Sequence, residues 1–350
     1  MSRLPASQRV VHLLGPRRTR LQRVPLARPG AGELLVKVEA ATTCGTDLKV
    51  YRRGGHPRML EAPCAFGHEM AGVVAAVGPG VTGWREGDRV VVANSVPCGA
   101  CAACRAGREN LCEDLAYLNG AFAEFLLVPP RFVRRSVYRL PGDLDFAHAA
   151  LAEPLACVLH GIGVCGLDGS RPVAVIGGGP IGQMFVAVLS AAGHDVTLAD
   201  PNPDRVEIGR RLGAKAILAV RRSEEDAGRL REIFDGAGPA LVVEATGRPE
   251  AWAAGVEAVA PGGQVLLFGG CAPGTSAGWD THKLHYSELT VRGAYHHRPQ
   301  TFAAAVDLLA SGRPDLTPLL SEERSLEELP EALRAMADRR ILKAVIRPGS

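Results

Sequence analysis

The run Ile176-Gly177-Gly178-Gly179-Pro180-Ile181-Gly182 limits most strongly what this chain can fold into. A short apolar segment, residues 172–175, precedes it, and an apolar helical pattern over 183–192 follows. Strand, glycine turn and helix in that order are the context in which a G-x-G-x-x-G spacing carries meaning. Gly177 permits the tight turn, Gly179 lets the backbone approach a pyrophosphate, and Gly182 lets helix and strand pack closely. Free N–H groups at the helix start favour phosphate charge. A second apolar strand, 195–199, ends at Asp200, where a carboxylate can accept hydrogen bonds from an adenine-side ribose. That carboxylate would repel the 2′-phosphate of NADP, so NAD is the expected dinucleotide, with Arg205 packing over the adenine. A glycine turn of some other α/β protein is the competing reading. The candidate cofactor residues are therefore Gly177, Gly179, Pro180, Ile181, Gly182, Asp200 and Arg205.

The rest of the chain narrows the class. With 350 residues there is room for two domains with substantial cores. A net charge of +3 is too small to point to nucleic acid, and Arg17, Arg18 and Arg20 read as solvated surface. No apolar run approaches a membrane span, and residues 1–10 lack the core of a signal peptide. The cytoplasm is the expected compartment. Nine cysteines are an odd number, and their clustering argues against a disulfide framework.

Periodicity divides the chain. Short strands are expected over 33–40, 70–77 and 88–93, punctuated by glycine and proline. From about Leu155, apolar strands near 196, 216–218, 241–243 and 265–268 alternate with helices over 204–212, 224–234 and 250–260. That alternation is the signature of a parallel sheet. Strand character returns at 289–292, followed by helices over 301–310 and 326–337 and a last strand over 341–346. The expected division is a β-rich part at 1–154, a nucleotide-binding part at 155–290, and a return to the first part at 291–350.

Two sets of residues suggest metal. Cys98, Cys101, Cys104 and Cys112 lie on a glycine-containing loop, within the segment 94–115. Four thiolates at such spacing can close a tetrahedron around one structural zinc ion. An iron–sulfur cluster is the alternative. The second set is dispersed: Cys44, His68, Glu69 and Glu153. Mixed Cys, His and carboxylate ligands with an open position suit catalytic zinc. Spacing alone does not decide between that and ordinary buried residues.

Cys44-Gly45-Thr46-Asp47, Gly67-His68-Glu69, the four-cysteine loop, Glu153-Pro154-Leu155 and Gly177-x-Gly179-Pro180-Ile181-Gly182 occur in one order. That order resembles the medium-chain zinc-dependent alcohol dehydrogenases over essentially the whole chain. Glu153, where simple alcohol dehydrogenases carry cysteine, resembles the branch of sorbitol, threonine and cyclitol dehydrogenases. The resemblance implies an α/β protein with a GroES-like β-rich catalytic domain and a Rossmann domain carrying a doubly wound parallel sheet. It implies one catalytic zinc held by Cys44 and His68, with Glu69 and Glu153 sharing the remaining coordination. It also implies one structural zinc on the four cysteines, and hydride transfer to NAD from a secondary alcohol of a polyol, sugar or cyclitol. Thr46 matches the relay hydroxyl, while Lys49 stands where relatives often have histidine. Asp47 is expected to orient a ligand.

Tyr51, Phe122, Glu124, His296 and His297 fall near positions that contact substrate in relatives; an exposed turn is the other reading of the two histidines. A homodimer or homotetramer is expected, with sheet extension near 289–293 as the expected contact, a small-molecule alcohol as the remaining partner and no nucleic acid or membrane. The alternatives are a threonine 3-dehydrogenase-like or simple secondary-alcohol enzyme and, in another class, a non-catalytic nucleotide-binding relative. Retention of Cys44, His68, Glu69 and Glu153 weighs against the latter and against a zinc-free quinone reductase.

Overall fold

The computed structural model describes residues 4–220 and 226–349. The start of the polar N-terminal stretch (1–3), the first two residues of the helix expected over 224–234, and Ser350 lie outside the described residues. Among the described residues no helix is long and apolar enough to cross a membrane. The chain divides into two compact units. One comprises Met1–Ala156, His297–Ser311 and Leu320–Ser350, and the other Cys157–His296 and Gly312–Leu319.

The first unit is built on a seven-stranded sheet. Its order is Val137–Arg139, Arg89–Val92, Glu69–Val77, Leu34–Thr42, Lys343–Ile346 and Leu320–Arg324, with Phe125–Val128 also paired to Leu34–Thr42. The Leu34–Thr42 strand is buried along nearly its whole length, because neighbours cover both faces. At its C-terminal end, Thr42 faces Glu69 on one side and Val345 on the other. Thr43 extends the second pairing: its N–H donates to the Ala344 carbonyl at 3.0 Å, and its Oγ1 accepts from the Ala344 N–H at 2.8 Å. A strand made late in the chain is thus locked beside residues 42–44.

A smaller sheet pairs Ser7–Gly15 with Arg18–Pro25 and with Cys64–Ala65. Apolar periodicity does not single out this hairpin. Arg18–Pro25 is an edge strand with exposed arginines, and its turn runs through Arg17 at φ 57°. Phe66 and Phe122 pack edge-on beneath it, ring centroids 5.5 Å apart, in the core of the unit.

The second unit holds six parallel strands ordered Ala216–Leu218, Asp195–Ala199, Pro172–Ile176, Leu241–Glu244, Gln264–Leu267 and Thr290–Gly293. Strand order reverses across Pro172–Ile176, so the glycine turn sits at a topological switch point, where such sheets bind ligands. The α/β class and the doubly wound sheet are as the sequence implies. Four helices start one to three residues before the apolar pattern does, on a proline: Pro180–Ala191, Pro203–Arg211, Pro249–Ala258 and Pro299–Ala310. Proline is preset for the first helical position and has no N–H to leave unpaired, but it carries no apolar period.

The glycines of the turn have separable reasons. Gly177 has φ 105°, and a Cβ there would come within 2.6 Å of Thr246 Cγ2. A Cβ at Gly182 would collide with the carbonyl oxygen of Gly177, whereas one at Gly179 would meet nothing within 4 Å. Gly179 therefore borders open space, and Gly182 is needed for packing. Gly182→Ala gains roughly 1 kcal/mol of helix propensity. The clash is with backbone, which cannot rotate away, and overpacking costs about 1–3 kcal/mol. The variant is expected to unfold several degrees below the parent in a thermal melt.

Candidate functional site

Cys44 caps the N-terminus of the Gly45–Arg53 helix. Its sulfur accepts from the Thr46 N–H at 3.4 Å, and its own N–H donates to Asp47 Oδ2 at 2.9 Å. The other oxygen of Asp47 lies 2.9 Å from His68 Nδ1. Asp47 is 1% exposed and His68 4%. A buried carboxylate bonded to Nδ1 orients the imidazole and leaves Nε2 as the nitrogen available to a metal. One carboxylate thus fixes both the turn that presents the sulfur and the imidazole orientation. Burial pulls the His68 pKa down, but the charges and hydrogen bonds of Asp47 and then Cys44 more than offset it, so the pKa lies well above the usual histidine value.

Glu69 follows His68 at the start of the Glu69–Val77 strand and is fully buried. Its Oε2 accepts from Thr42 Oγ1 and from Lys343 Nζ, the latter at 2.7 Å. Lys343 is 1% exposed. Burial lowers the lysine pKa, but Glu69 and the other nearby anionic groups raise it further than burial lowers it. The second oxygen of Glu69, Oε1, is buried with no hydrogen-bond partner among the described residues. Buried polar atoms are seldom left so. Cys44, His68 and Glu69 offer ligand atoms within 4.8 Å of one another. A soft sulfur, an imidazole nitrogen and an orphaned carboxylate oxygen, with His68 Nδ1 and Glu69 Oε2 already held by other partners, fit a zinc ion.

Glu153, at the first turn of the Ala152–Cys165 helix, is not a member of that trio but feels its charges. Burial pushes its carboxyl up to about 7, with Glu69 and Asp47 adding to the shift and His68 and Lys343 opposing it. Its carboxyl and the His297 ring offer ligand atoms within 4.8 Å of each other. His297 is buried, with Nε2 3.0 Å from Asn94 Oδ1.

Thr46 is half-buried in the first turn of the Gly45–Arg53 helix, and Lys49, one turn on, is exposed. Tyr51 packs half-buried on the core of the unit. Two residues expected near substrate serve the structure instead. Phe122 is fully buried against Phe66 and presents no surface. Glu124 receives the Arg9 N–H at 2.6 Å and its Nε at 2.9 Å, in an ion pair that ties the N-terminal strand down. Arg9 also donates to Glu327 and to the Pro348 carbonyl. Resemblance to relatives places both near the cleft, but here Phe122 is packed in the core and Glu124 is held in an ion pair. His296 belongs to the second unit, where it has φ 60° and lies 5.7 Å from the Tyr295 ring.

The four loop cysteines offer sulfurs within 4.8 Å of one another. Cys98 Sγ accepts from the N–H groups of Ala100 and Cys101, and Cys112 Sγ from that of Cys98. Backbone N–H groups pull the Cys101 thiol down to about 6, while burial pushes Cys104 up to about 12. The pattern is that of sulfurs gathered around one point with backbone donors on the outside, and it fits a tetrahedral metal.

In the second unit, Asp200 ends its strand nearly fully buried. Oδ2 accepts from the Gly178 N–H at 2.7 Å and Oδ1 from the Asn202 N–H at 2.8 Å. Each oxygen retains an acceptor site. The carboxylate is thereby braced against the glycine turn, and the side chain of Arg205 packs beside Gly178. Sequence reasoning missed Thr42, Lys343 and Asn94. A signal existed for Lys343, as the one charged residue within the apolar run 341–346.

These features define a two-unit dehydrogenase with metal-binding and dinucleotide-binding parts. Residues 30–141 match the alcohol dehydrogenase GroES-like domain and residues 180–311 the zinc-binding dehydrogenase domain. The chain is 33% identical over 325 residues to L-threonine 3-dehydrogenase of Pyrococcus abyssi, covering 90% of this chain and 91% of that protein. It is 30% identical to sorbitol dehydrogenase of Bacillus subtilis, covering 94% of each. A zinc-binding dehydrogenase from Sinorhizobium meliloti, solved bound to NADP, superposes with a TM-score of 0.90 at 29% identity, covering 98% of this chain and 100% of that one. The 2R,3R-butanediol dehydrogenase of Bacillus subtilis gives 0.87 at 26% identity, with the same coverage. The chain belongs to the medium-chain zinc-dependent alcohol dehydrogenase family, and it is an oxidoreductase.

Removing the lysine that partners Glu69 tests the buried pair. Lys343→Met leaves a carboxylate in the core without a counter-charge, at an expected cost of about 3–5 kcal/mol. Denaturant unfolding should register that loss. Adding Glu69→Gln in the same chain should recover a large part of it, since the two sites share one interaction.

Proposed function

We propose that this protein oxidises a secondary alcohol of a polyol, sugar or cyclitol to a ketone, with zinc and NAD. The observation that carries the reading is the trio Cys44, His68 and Glu69, with the free face of each ligand turned inward and Asp47 and Lys343 holding the other side. A zinc ion held by Cys44, His68 and Glu69 would supply Lewis acidity toward a hydroxyl, and a nicotinamide in the second unit would supply a hydride acceptor. The remaining tasks fall to the protein. Asp47 keeps His68 in one orientation. Glu69 offers only Oε1, because Oε2 is held by Thr42 and Lys343. Glu153, with its carboxyl raised to about 7, can take or give a proton near neutral pH. The Thr46 hydroxyl is both donor and acceptor, and it carries the alcohol proton outward on the side where Lys49 is exposed.

NAD over NADP is favoured by Asp200, whose nearly buried charge opposes a 2′-phosphate. Relatives act on threonine, sorbitol and 2R,3R-butanediol by their names, which share a hydroxyl beside a second polar group. That pattern supports a substrate with vicinal polar groups. The solvent-facing edge strand Thr290–Gly293, paired on one side only among the described residues, supports assembly into a homodimer or homotetramer.

Nicotinamide absorbance with a panel of polyols, inositols, amino-cyclitols, aldoses, threonine and simple secondary alcohols, each with NAD and with NADP, tests the reading. One polyol or cyclitol group should reduce NAD, and a preference for NADP would reverse the cofactor assignment. Cys44→Ser should lower turnover by at least about 100-fold while leaving NADH affinity nearly unchanged; survival of activity would sink the catalytic-zinc reading. Metal analysis should find two zinc ions per chain in the parent and one in Cys104→Ser, with the remaining ion still supporting catalysis in whatever fraction stays folded.

A further inference from the structure

The dinucleotide unit contains a buried amide that the turn motif does not require. Gln183 lies in the first turn of the Pro180–Ala191 helix and is 0% exposed. Its Nε2 donates to two carbonyl oxygens on different elements: Gly178 at 3.3 Å and Arg205 at 2.6 Å. Its Oε1 is buried with no hydrogen-bond partner among the described residues, in contact distance of the space beside Gly209. Leucine or methionine would fill the same volume with no orphaned oxygen. An unpaired buried acceptor destabilises the fold, so the side chain's positive contribution lies in the two bonds it donates.

Those bonds close a circuit. The Gly178 N–H is held by Asp200 Oδ2, and the Gly178 carbonyl by Gln183. Asp200 Oδ1 in turn accepts from the Asn202 N–H, and Asn202 caps the Pro203–Arg211 helix that carries the Arg205 carbonyl. The two peptide groups that flank the Gly178 Cα are therefore each held, the preceding one through its N–H by Asp200 and the following one through its carbonyl by Gln183. Gly178 sits immediately before the Gly179 backbone, which borders the open space expected to take a pyrophosphate. The same circuit ties that turn to the carboxylate expected to meet the ribose.

We infer that Gln183 is a positioning residue for the adenosine-diphosphate half of the dinucleotide, acting through the carbonyl groups of Gly178 and Arg205 rather than by touching the cofactor. The inference rests on the dinucleotide reading of this unit. Its consequence is that a shape-matched apolar replacement keeps the fold but disorders the turn against which the pyrophosphate and ribose are read.

The test compares metal-loaded wild-type protein with Gln183→Met, using NADH fluorescence titration, competition by ADP-ribose, and thermal melts without dinucleotide. Gln183→Met should melt within a few degrees of the wild type, yet bind both NADH and ADP-ribose about tenfold more weakly. If the alcohol substrate is in hand, KM for NAD should rise with little change in kcat at saturating NAD. Retention of wild-type affinity within twofold by the folded variant overturns the inference, as does weakening for NADH with none for ADP-ribose. Failure of the wild type to bind either ligand overturns the dinucleotide reading and this inference with it. Gln183→Leu, titrated in the same way, decides the matter should the methionine variant not fold.

Discussion

The first unit depends on a charge pair in a place where charge is costly. Lys343 and Glu69 meet at 2.7 Å with almost no solvent exposure, and Thr42 completes the set. Taking both ions out of water is unfavourable unless each is closely satisfied. Apolar residues of equal volume would often serve stability as well. What the pair supplies is asymmetry at Glu69: one oxygen fully engaged, the other with nothing to accept from and directed among Cys44 and His68. Asp47 does the equivalent for the other two members, one oxygen on the Cys44 backbone and one on His68. Each ligand atom is presented by a group whose remaining polar atoms are already committed, which is what preorganisation of a metal site requires.

The nucleotide unit solves a related problem with backbone instead of charge. Helix, strand and turn must come so close that side chains are excluded at Gly177 and Gly182. Once they do, the peptide groups of the turn become the functional groups. Asp200 and Gln183 are both engaged in aiming those peptides. The two units share the same logic of buried polar networks, in which every bond constrains the geometry of an atom left open.

Legibility in the sequence followed the range of the interactions. The parallel sheet was readable because its strands are buried on both faces and appear as continuous apolar runs such as 241–243. The four cysteines were readable because their spacing is local. Cys44, His68 and Glu69 were too far apart for spacing to decide, and only resemblance to a family drew them together. Lys343 was illegible as a partner. It reaches Glu69 across 274 residues of chain through the register of two strands against Leu34–Thr42, and no local pattern encodes that register. The N-terminal hairpin was missed for the opposite reason, since an edge strand studded with arginine has little apolar signal. Phe122 and Glu124 were expected near the substrate because they fall near positions that line the cleft in relatives. Packing density and an ion pair to Arg9 decide otherwise.

The pairing of Thr43 with Ala344 spans 301 residues. Synthesis proceeds from the N-terminus, and domains fold as their parts emerge. Cys44, His68 and Glu69 therefore leave the ribosome long before the lysine that neutralises Glu69 exists. Through that interval Glu69 has no reason to enter the core, and the sheet lacks its strand beside Thr42. The proposed metal site would consequently be completed late in biosynthesis, when the whole second unit has already been made. At that proposed site, metal acquired during translation would meet residues not yet held by Lys343 and Ala344, which would couple loading to the final closure of the first unit.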